Sequence, residues 1–439
     1  MTLSIISLGC PKNQVDGERM LHKLDCAGFK LVPDPGKAEI VLINTCGFIN
    51  SAKEESIETI IEVGRLKKEG KVKLIILTGC LAERYINDIA DDLPEVDVSV
   101  GIGSNDDIVE IVQNAVHGKF FVPYVDKTSL NLEGGRILNN LPFYAYLKIA
   151  EGCSNCCSYC AIPLIRGEYR SRPLNNILQE AKQLVMNGVS ELILVAQDTT
   201  RYGEDLYGEQ KLPELLENLC EIEDLKWIRL LYCYPERITE KLLQTMKDND
   251  KIVRYLDIPI QHIDDDILKR MNRNSNEEQI RKLIFDIKAK MPDISLRTSL
   301  IAGFPGETED QFAKLMAFVK EADFDHLGCF AYSQEEDTPA AEFPDQIPEE
   351  VKDRRTQLIN EKQDEVIIKK QDAKIGKTFT VVVEGFDHYE EMYFGRSQYE
   401  APEIDGKIFF KTSKLLKIGE FIDITVTQVI NYDIIGIRN

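Results

Sequence analysis

The sequence predicts an α/β protein in three parts: an open parallel α/β domain, a central partial (β/α)6 barrel of the TIM type, and a small all-β, OB-like barrel. Three observations predict this. Short continuous apolar runs alternate with helical periodicities up to about residue 340, as strands buried on both faces of a parallel sheet require. A polar, glycine-containing stretch divides those β/α units into a shorter and a longer set. After residue 374 the pattern changes to short β runs separated by glycine-containing turns.

A chain of 439 residues, 43% hydrophobic and 29% charged, can build several domains with sizeable cores and no covalent staples. The first residues enter a strand-like run with no basic, apolar leader, and no run is long enough to span a bilayer. The expectation is a cytoplasmic protein that does not use a membrane, with eleven cysteines kept reduced and free for metal. A formal net charge of −21 repels phosphate backbones and attracts basic partners, which argues against DNA.

In the first domain, 1–125, the runs at 5–8, 40–43 and 74–77 read as strands. Ser51 and Glu54 form a capping-box pattern ahead of Ile57, Ile60, Ile61 and Leu66 at helical spacing. Each of the three strands runs into a cysteine: Cys10, Cys46 and Cys80. Parallel strands share one carboxyl edge, where ligands of open α/β sheets gather, so the three thiols can meet at one rim. A single buried cysteine would read as a small hydrophobe; three at matched strand ends read as a metal site.

The polar stretch 126–140, with Gly134 and Gly135, reads as a linker. In 141–340, strands are predicted at 146–150, 191–196, 227–233, 255–260, 295–301 and 326–332, with helical patterns between them. One helix is closed by Gly188; others open at Ser275 with Glu278 and at Thr308 with Gln311. The charged, proline-free tract at 349–374, within 341–374, reads as an exposed helix joining domains. In 375–439, runs at 379–383, 408–411 and 421–426 read as strands of the small barrel, where acidic residues outnumber basic ones.

The most specific signal is the string EGCSNCCSYCAIP, directly after the first strand of the central domain. Cys153, Cys157 and Cys160 make a C-x3-C-x2-C loop that can ligate three irons of a four-iron cluster and leave the fourth open. Spacing alone also admits Cys153, Cys156 and Cys160. A zinc knuckle would call for a further cysteine pair downstream, and none follows. Cys26, Cys220, Cys233 and Cys329 stand apart and read as buried thiols.

The cysteine loop followed by a partial barrel resembles the radical S-adenosylmethionine (radical SAM) enzymes. With three upstream cysteines on separate strand ends, the chain is similar to their methylthiotransferase branch, and its last segment to a TRAM domain. The resemblance covers essentially the whole chain. The strings SLGCPKNQVDGE, NTCGFINSAKEES, LVAQDTTRYGEDLYG, DIPIQHIDDDILKRMNR, AYSQEEDTPA and GRSQYEAPEIDG resemble members that modify ribosomal protein twelve of the small subunit.

The resemblance implies two 4Fe-4S clusters and S-adenosylmethionine as cofactors. The family spacing selects Cys153, Cys157 and Cys160 for the cluster that chelates S-adenosylmethionine; Cys10, Cys46 and Cys80 would hold the auxiliary cluster. One S-adenosylmethionine would give the 5′-deoxyadenosyl radical and a second the methyl group, with a reducing electron donor as a further partner. Methylthiolation would fall on the β-carbon of an aspartate, a position from which acid–base chemistry cannot readily take hydrogen. Gly303 and Gly306, in SLIAGFPGET, resemble the family's cofactor-binding segment, with an ordinary tight turn as the alternative. Gln197 and Gln261, near strand ends, can hydrogen-bond cofactor or substrate, or serve only as polar rim. His262 reads as a structural histidine. Two other functions remain: a transfer-RNA adenosine methylthiotransferase, and a non-catalytic iron–sulfur or zinc scaffold on the ribosome.

Overall fold

The fully apolar runs become central strands because parallel sheets covered by helices leave neither strand face in water. The structure is a computed structural model that describes residues 1–430 and 432–438. Its first sheet contains Thr2–Ser7 (β1), Lys30–Leu31 (β2), Ile40–Thr45 (β3), Leu74–Gly79 (β4) and Val98–Ser99 (β5), in the order β2-β1-β3-β4-β5 and parallel throughout. Strands β3 and β4 are buried along their whole length. The cysteine-bearing strands β1, β3 and β4 are adjacent, so their carboxyl ends form one rim. The two-residue strands β2 and β5 are too short to leave a sequence pattern.

The second sheet begins with Tyr144–Lys148 (β6). A two-stranded antiparallel ribbon, Ala150–Glu151 (β7) with Arg170–Ser171 (β8), brackets the cysteine loop. Glu191–Val195 (β9), Trp227–Leu230 (β10), Ile252–Asp257 (β11), Ser295–Ala302 (β12) and His326–Ala331 (β13) complete a six-stranded parallel sheet, ordered β13-β12-β11-β10-β9-β6. Sequence order and spatial order coincide, as in an unclosed (β/α) barrel. The helix Glu309–Ala322 carries the expected capping box at Thr308 and Gln311. The helix Glu277–Lys290 is capped by Asn276 with Gln279, one residue later than the sequence suggested. Ser51 is no cap: the helix Asn50–Lys68 starts before it, after Ile49.

Two connecting segments are more firmly placed than their composition implied. Within 126–140, Arg136 donates to Glu18 at 3.0 Å and to Glu180 at 2.7 Å, tying the stretch to both domains. The helix Glu349–Asp372 buries Ile359, Val366 and Ile367 and packs against β13, so it is not an exposed connector.

Thr378–Asp387 (β14), Met392–Arg396 (β15), Ile408–Lys411 (β16), Phe421–Ile430 (β17) and Asp433–Arg438 (β18) form a closed barrel in the order β14-β15-β16-β18-β17. Closure removes the exposed edges that a short sheet would present. Its Arg396 pairs with Glu191 at the start of β9, and Glu191 also accepts from Arg229 at 2.9 Å. Asp405 accepts from Tyr255 at 2.8 Å and from Arg297 at 3.0 Å. These contacts lie toward the amino ends of the central strands, opposite the cysteine loop. Among the described residues no helix is long and apolar enough to cross a membrane.

Candidate functional site

The cysteine loop leaves β7 and is held mainly through its backbone. The Cys153 amide donates to the Gly167 carbonyl at 3.0 Å. The Ser158 amide reaches the Met271 carbonyl at 3.0 Å, its hydroxyl the Arg270 carbonyl at 2.7 Å, and its own carbonyl accepts from Ala340 at 2.8 Å. Cys153 and Cys157 are 7% and 5% exposed and Cys160 is half-buried. Cys156 is exposed, at a left-handed φ of 50°. The two registers left open by spacing therefore differ in burial, and the buried set is Cys153, Cys157 and Cys160.

The Tyr234 hydroxyl lies 2.9 Å from Cys157 Sγ, and Arg273 Nη1 is 4.0 Å from the same sulfur. The Arg273 guanidinium also stacks 4.0 Å over the Tyr234 ring. Burial pushes the Cys153 thiol up to about 11. Burial, reinforced by Cys157, raises Cys160 as well. Clustered buried thiols resist ionising unless a cation joins them, so this donor set fits a thiolate-ligated metal cluster.

The second triad is assembled by topology. Cys10, Cys46 and Cys80 follow β1, β3 and β4. Gly9 has φ 85°, and a Cβ there would stand 2.6 Å from Cys46 Sγ, so a side chain at this position would displace a thiol. Asn13 Nδ2 donates to the carbonyls of Leu8 at 2.8 Å, Asn44 at 3.1 Å and Thr45 at 3.2 Å; Asn44 Nδ2 donates back to the Asn13 carbonyl at 2.7 Å. These two asparagines clamp the loops bearing Cys10 and Cys46 together. Burial pushes Cys46 up to about 12, with Cys80 and Cys10 adding to it. Burial also opposes ionisation of Cys10, but the Lys12 and Arg166 charges outweigh it and lower that thiol.

Buried ion pairs join the two triads. Arg166 Nη2 lies 3.4 Å from Cys80 Sγ and donates to Asn13 Oδ1 at 3.0 Å. Its Nη1 donates to Asp16 at 2.6 Å and to Glu151 at 3.3 Å. Lys148 donates to Glu151 at 2.6 Å and also pairs with Asp16. Burial disfavours the Glu151 carboxylate, yet Lys148 and Arg166 outweigh that and hold its pKa well below the usual carboxylate range. A second connection is the segment after β10, where the Tyr232 ring lies 3.4 Å below Lys12 Nζ and Tyr234 touches Cys157.

The weaker sequence candidates divide. Gln197 belongs to this network, donating to Glu151 at 3.2 Å. Gln261, half-buried at φ 74°, bridges to the Ser299–Ile301 backbone, its amide donating to Ser299 at 2.9 Å and its carbonyl accepting from Ile301 at 2.8 Å. A Cβ at Gly303 would fall 2.2 Å from Lys352 Cγ, and one at Gly306 2.0 Å from Arg270 Nη1, so the close approach at both is by the protein's own side chains. Glu307 secures that loop, accepting from the Gly303 amide at 2.9 Å and from Arg355 at 2.8 Å. His262 is structural: its Nδ1 accepts from the Asp264 amide at 3.0 Å, and its Nε2 faces Glu307 at 3.5 Å. Of the isolated cysteines, Cys233 and Cys329 are buried, but Cys26 is exposed and Cys220 half-buried.

Arg166 and Tyr234 lay in no motif used above, and Asp16 and Arg273 lay inside strings that carried the resemblance without a role of their own. Lys148 and Glu151 did leave a signal, as charges inside and just after an otherwise apolar strand. Among the described residues no group of three or more His, Cys, Asp or Glu side chains is drawn together as a mononuclear metal cage. Ligands of a polynuclear cluster stand further apart than those of a single ion.

Three family descriptions match the chain: Uncharacterized protein family UPF0004 over residues 2–101, Radical SAM superfamily over 147–319, and TRAM domain over 375–438. The chain is 48% identical over 435 residues to ribosomal protein uS12 methylthiotransferase RimO of Thermoanaerobacter sp. (strain X514), covering 99% of both chains. It is 47% identical over 436 residues to the RimO of Clostridium tetani, covering 99% of this chain and 97% of that one. Among solved structures, the radical S-adenosylmethionine methyltransferase TsrM from Kitasatospora setae matches with a TM-score of 0.57 at 14% identity, over 77% of this chain and 76% of that one. The cobalamin-dependent S-adenosylmethionine radical enzyme OxsB matches with a TM-score of 0.51 at 13% identity, over 84% and 56%. At such identities these two structures share the fold alone.

Proposed function

The chain belongs to the RimO family of radical SAM methylthiotransferases, and from that premise we propose that its substrate is ribosomal protein uS12, methylthiolated on the β-carbon of an aspartate. An iron–sulfur cluster and S-adenosylmethionine are the cofactors of this enzyme class; we assign two 4Fe-4S clusters, one to each cysteine triad. The observation that supports it is the set of contacts between the two triads' surroundings: Arg166 reaches both Cys80 and Glu151, and the segment from Tyr232 to Tyr234 reaches both Lys12 and Cys157. When bound, the group on Cys153, Cys157 and Cys160 would supply the electron that cleaves S-adenosylmethionine, and that on Cys10, Cys46 and Cys80 the sulfur to be transferred.

The chain's own residues prepare that chemistry. Tyr234 and Arg273 offer a hydroxyl and a positive charge to the Cys157 sulfur, and Arg166 offers a guanidinium N–H to Cys80. Such outer contacts orient thiolate ligands and offset their negative charge. Asp16 and Glu151 hold Arg166 in place and neutralise it inside the protein, with Lys148 as the second cation they share. Gln197 and Gln261 are assigned to contacts with cofactor or substrate. Gly303 and Gly306 are assigned to the same rim, where Lys352 and Arg270 close behind their loop.

The acidic balance, 74 acidic against 53 basic residues, suits a basic ribosomal protein as substrate, since complementary charge speeds encounter. A cytoplasmic setting and a reducing electron donor complete the proposal. The test is mass spectrometry of uS12 after anaerobic turnover with reconstituted enzyme, reductant and S-adenosylmethionine. A methylthio increment on one aspartate is expected. With both clusters intact and reduced, its absence would overturn the substrate assignment.

A further inference from the structure

Lys12 is placed where a lysine has little structural reason to be. It lies in the first turn of the helix Pro11–Cys26, where the positive end of the helix dipole disfavours a cation. It is 7% exposed, so its ammonium is largely withdrawn from water. Buried charges in folded proteins are paired, and its neighbours follow that rule. Arg166 and Lys148 share Asp16 and Glu151; Arg136 takes Glu18 and Glu180.

Among the described residues Lys12 has no carboxylate partner: its Nζ lies 3.4 Å from the centre of the Tyr232 ring, and its charge faces the Tyr232 hydroxyl and the Cys10 sulfur. The charged and titratable groups around it are Cys10, Arg166, Tyr232 and Asp257. Asp257 is engaged elsewhere, accepting from the Tyr232 amide at 2.9 Å and facing Arg297 at 3.6 Å. Lys12 thus extends from the first domain to the rim of the central barrel, beside Cys10, as a buried cation with no carboxylate of the chain to pair with.

Resting on the function proposed above, we infer that Lys12, seated on Tyr232, is the specificity-determining residue that binds the side-chain carboxylate of the substrate aspartate. An aspartate whose β-carbon approaches the Cys10, Cys46 and Cys80 triad must bring its carboxylate into a site where water is scarce. A buried carboxylate needs a cation at hydrogen-bond distance. Tyr232, at an uncommon φ of 61°, supplies the aromatic face that steadies the ammonium before substrate arrives. The carboxylate of the S-adenosylmethionine that is cleaved would be chelated at the Cys153, Cys157 and Cys160 triad and makes no call on Lys12.

The test is a double-mutant cycle on the anaerobic, reconstituted holoenzyme with uS12 as ligand. Lys12→Met keeps the aliphatic stem and removes the charge. It should weaken uS12 binding roughly 10- to 100-fold, the range for losing a hydrogen bond to a charged group, and leave the affinity for S-adenosylmethionine as it was. Lys12→Arg should recover part of the loss. A uS12 carrying asparagine at the target position should bind the wild type weakly, and Lys12→Met should add no further loss to it. Independent, additive losses would overturn the inference, as would unchanged uS12 binding. An equal loss for S-adenosylmethionine would move Lys12 to the cofactor and overturn it too. If Lys12→Met proves short of iron, Lys12→Gln and Tyr232→Leu, which remove the charge and the aromatic face, run through the same cycle decide the matter. Wild-type enzyme that methylthiolates uS12 while the cycle stays additive refutes only the role of Lys12; wild-type enzyme that leaves uS12 unmodified refutes the substrate itself.

Discussion

The two cysteine triads have the same donor chemistry but are built in opposite ways. Cys153, Cys157 and Cys160 are neighbours in sequence, and a single loop pinned by backbone hydrogen bonds brings them together. Cys10, Cys46 and Cys80 are far apart in sequence and meet because β1, β3 and β4 are adjacent parallel strands. The second arrangement needs locks that the first does not. Asn13 and Asn44 supply one between loops, and the buried group of Asp16, Lys148, Glu151 and Arg166 supplies another between domains. A contiguous site can form wherever its loop forms; a dispersed site depends on the tertiary structure being complete.

The largest expected effect separates the triads by chemistry. Cys157→Ser should abolish formation of 5′-deoxyadenosine. Cys80→Ser should retain it and lose the methylthio product. Both are read by chromatography and mass spectrometry, alongside iron content. If Cys80→Ser also stops S-adenosylmethionine cleavage, the two sites are not the independent units described here.

Arg166→Met comes next. It leaves Asp16 and Glu151 with Lys148 as their remaining shared cation, in an environment without water. Breaking a buried ion network in this way costs about 3–5 kcal/mol. The damage should fall on one triad: iron at Cys10, Cys46 and Cys80 should drop while the contiguous loop keeps its share. Calorimetry and iron-specific spectroscopy of the variant check both parts, and equal iron loss at the two sites would erase the contrast.

This contrast also explains what could be read from the chain. The contiguous triad, the parallel strands and the capping boxes near Thr308 and Asn276 are local, so periodicity and spacing express them. The dispersed triad was legible only because each strand ends in the same residue type, and adjacency of parallel strands did the rest. Arg166 was not legible, since its partners Asn13, Asp16 and Cys80 come from a different domain. The barrel strands β15 and β18 escaped because glycines at 395 and 436 interrupt their pattern. The helix Glu349–Asp372 looked exposed because its buried residues include Lys352, Arg355, Gln363 and Gln371, each of which donates a hydrogen bond to a group distant in sequence.

The interdomain lock should also show in the pH dependence of stability. Burial works against the Glu180 carboxylate, but Arg136, Arg172 and Arg19 overcome it and lower its pKa from 4.5 to about 2. An acid lowered on folding stabilises fully above its unfolded value, and that contribution disappears as pH falls through the folded one. Glu180 should therefore contribute up to about 3 kcal/mol at neutral pH, fading between roughly pH 4.5 and 2. Urea unfolding of metal-free protein and of Glu180→Gln checks this: the gap between them should close over that window, and a gap independent of pH would contradict it.

The smallest expected effect is at Cys156, one residue from a proposed ligand. Its left-handed φ of 50° is the feature that lets four cysteines crowd one turn while only three are enclosed. An L residue without a polar side chain adopts that conformation at some cost, whereas asparagine takes it readily. Cys156→Asn should therefore leave iron content and 5′-deoxyadenosine formation at wild-type levels, with stability unchanged or slightly raised. Cys157→Ser, one position along, should lose both activities. The pair is a direct reading of register: if iron is lost with Cys156 instead, the ligand set is Cys153, Cys156 and Cys160, and burial has pointed to the wrong thiol.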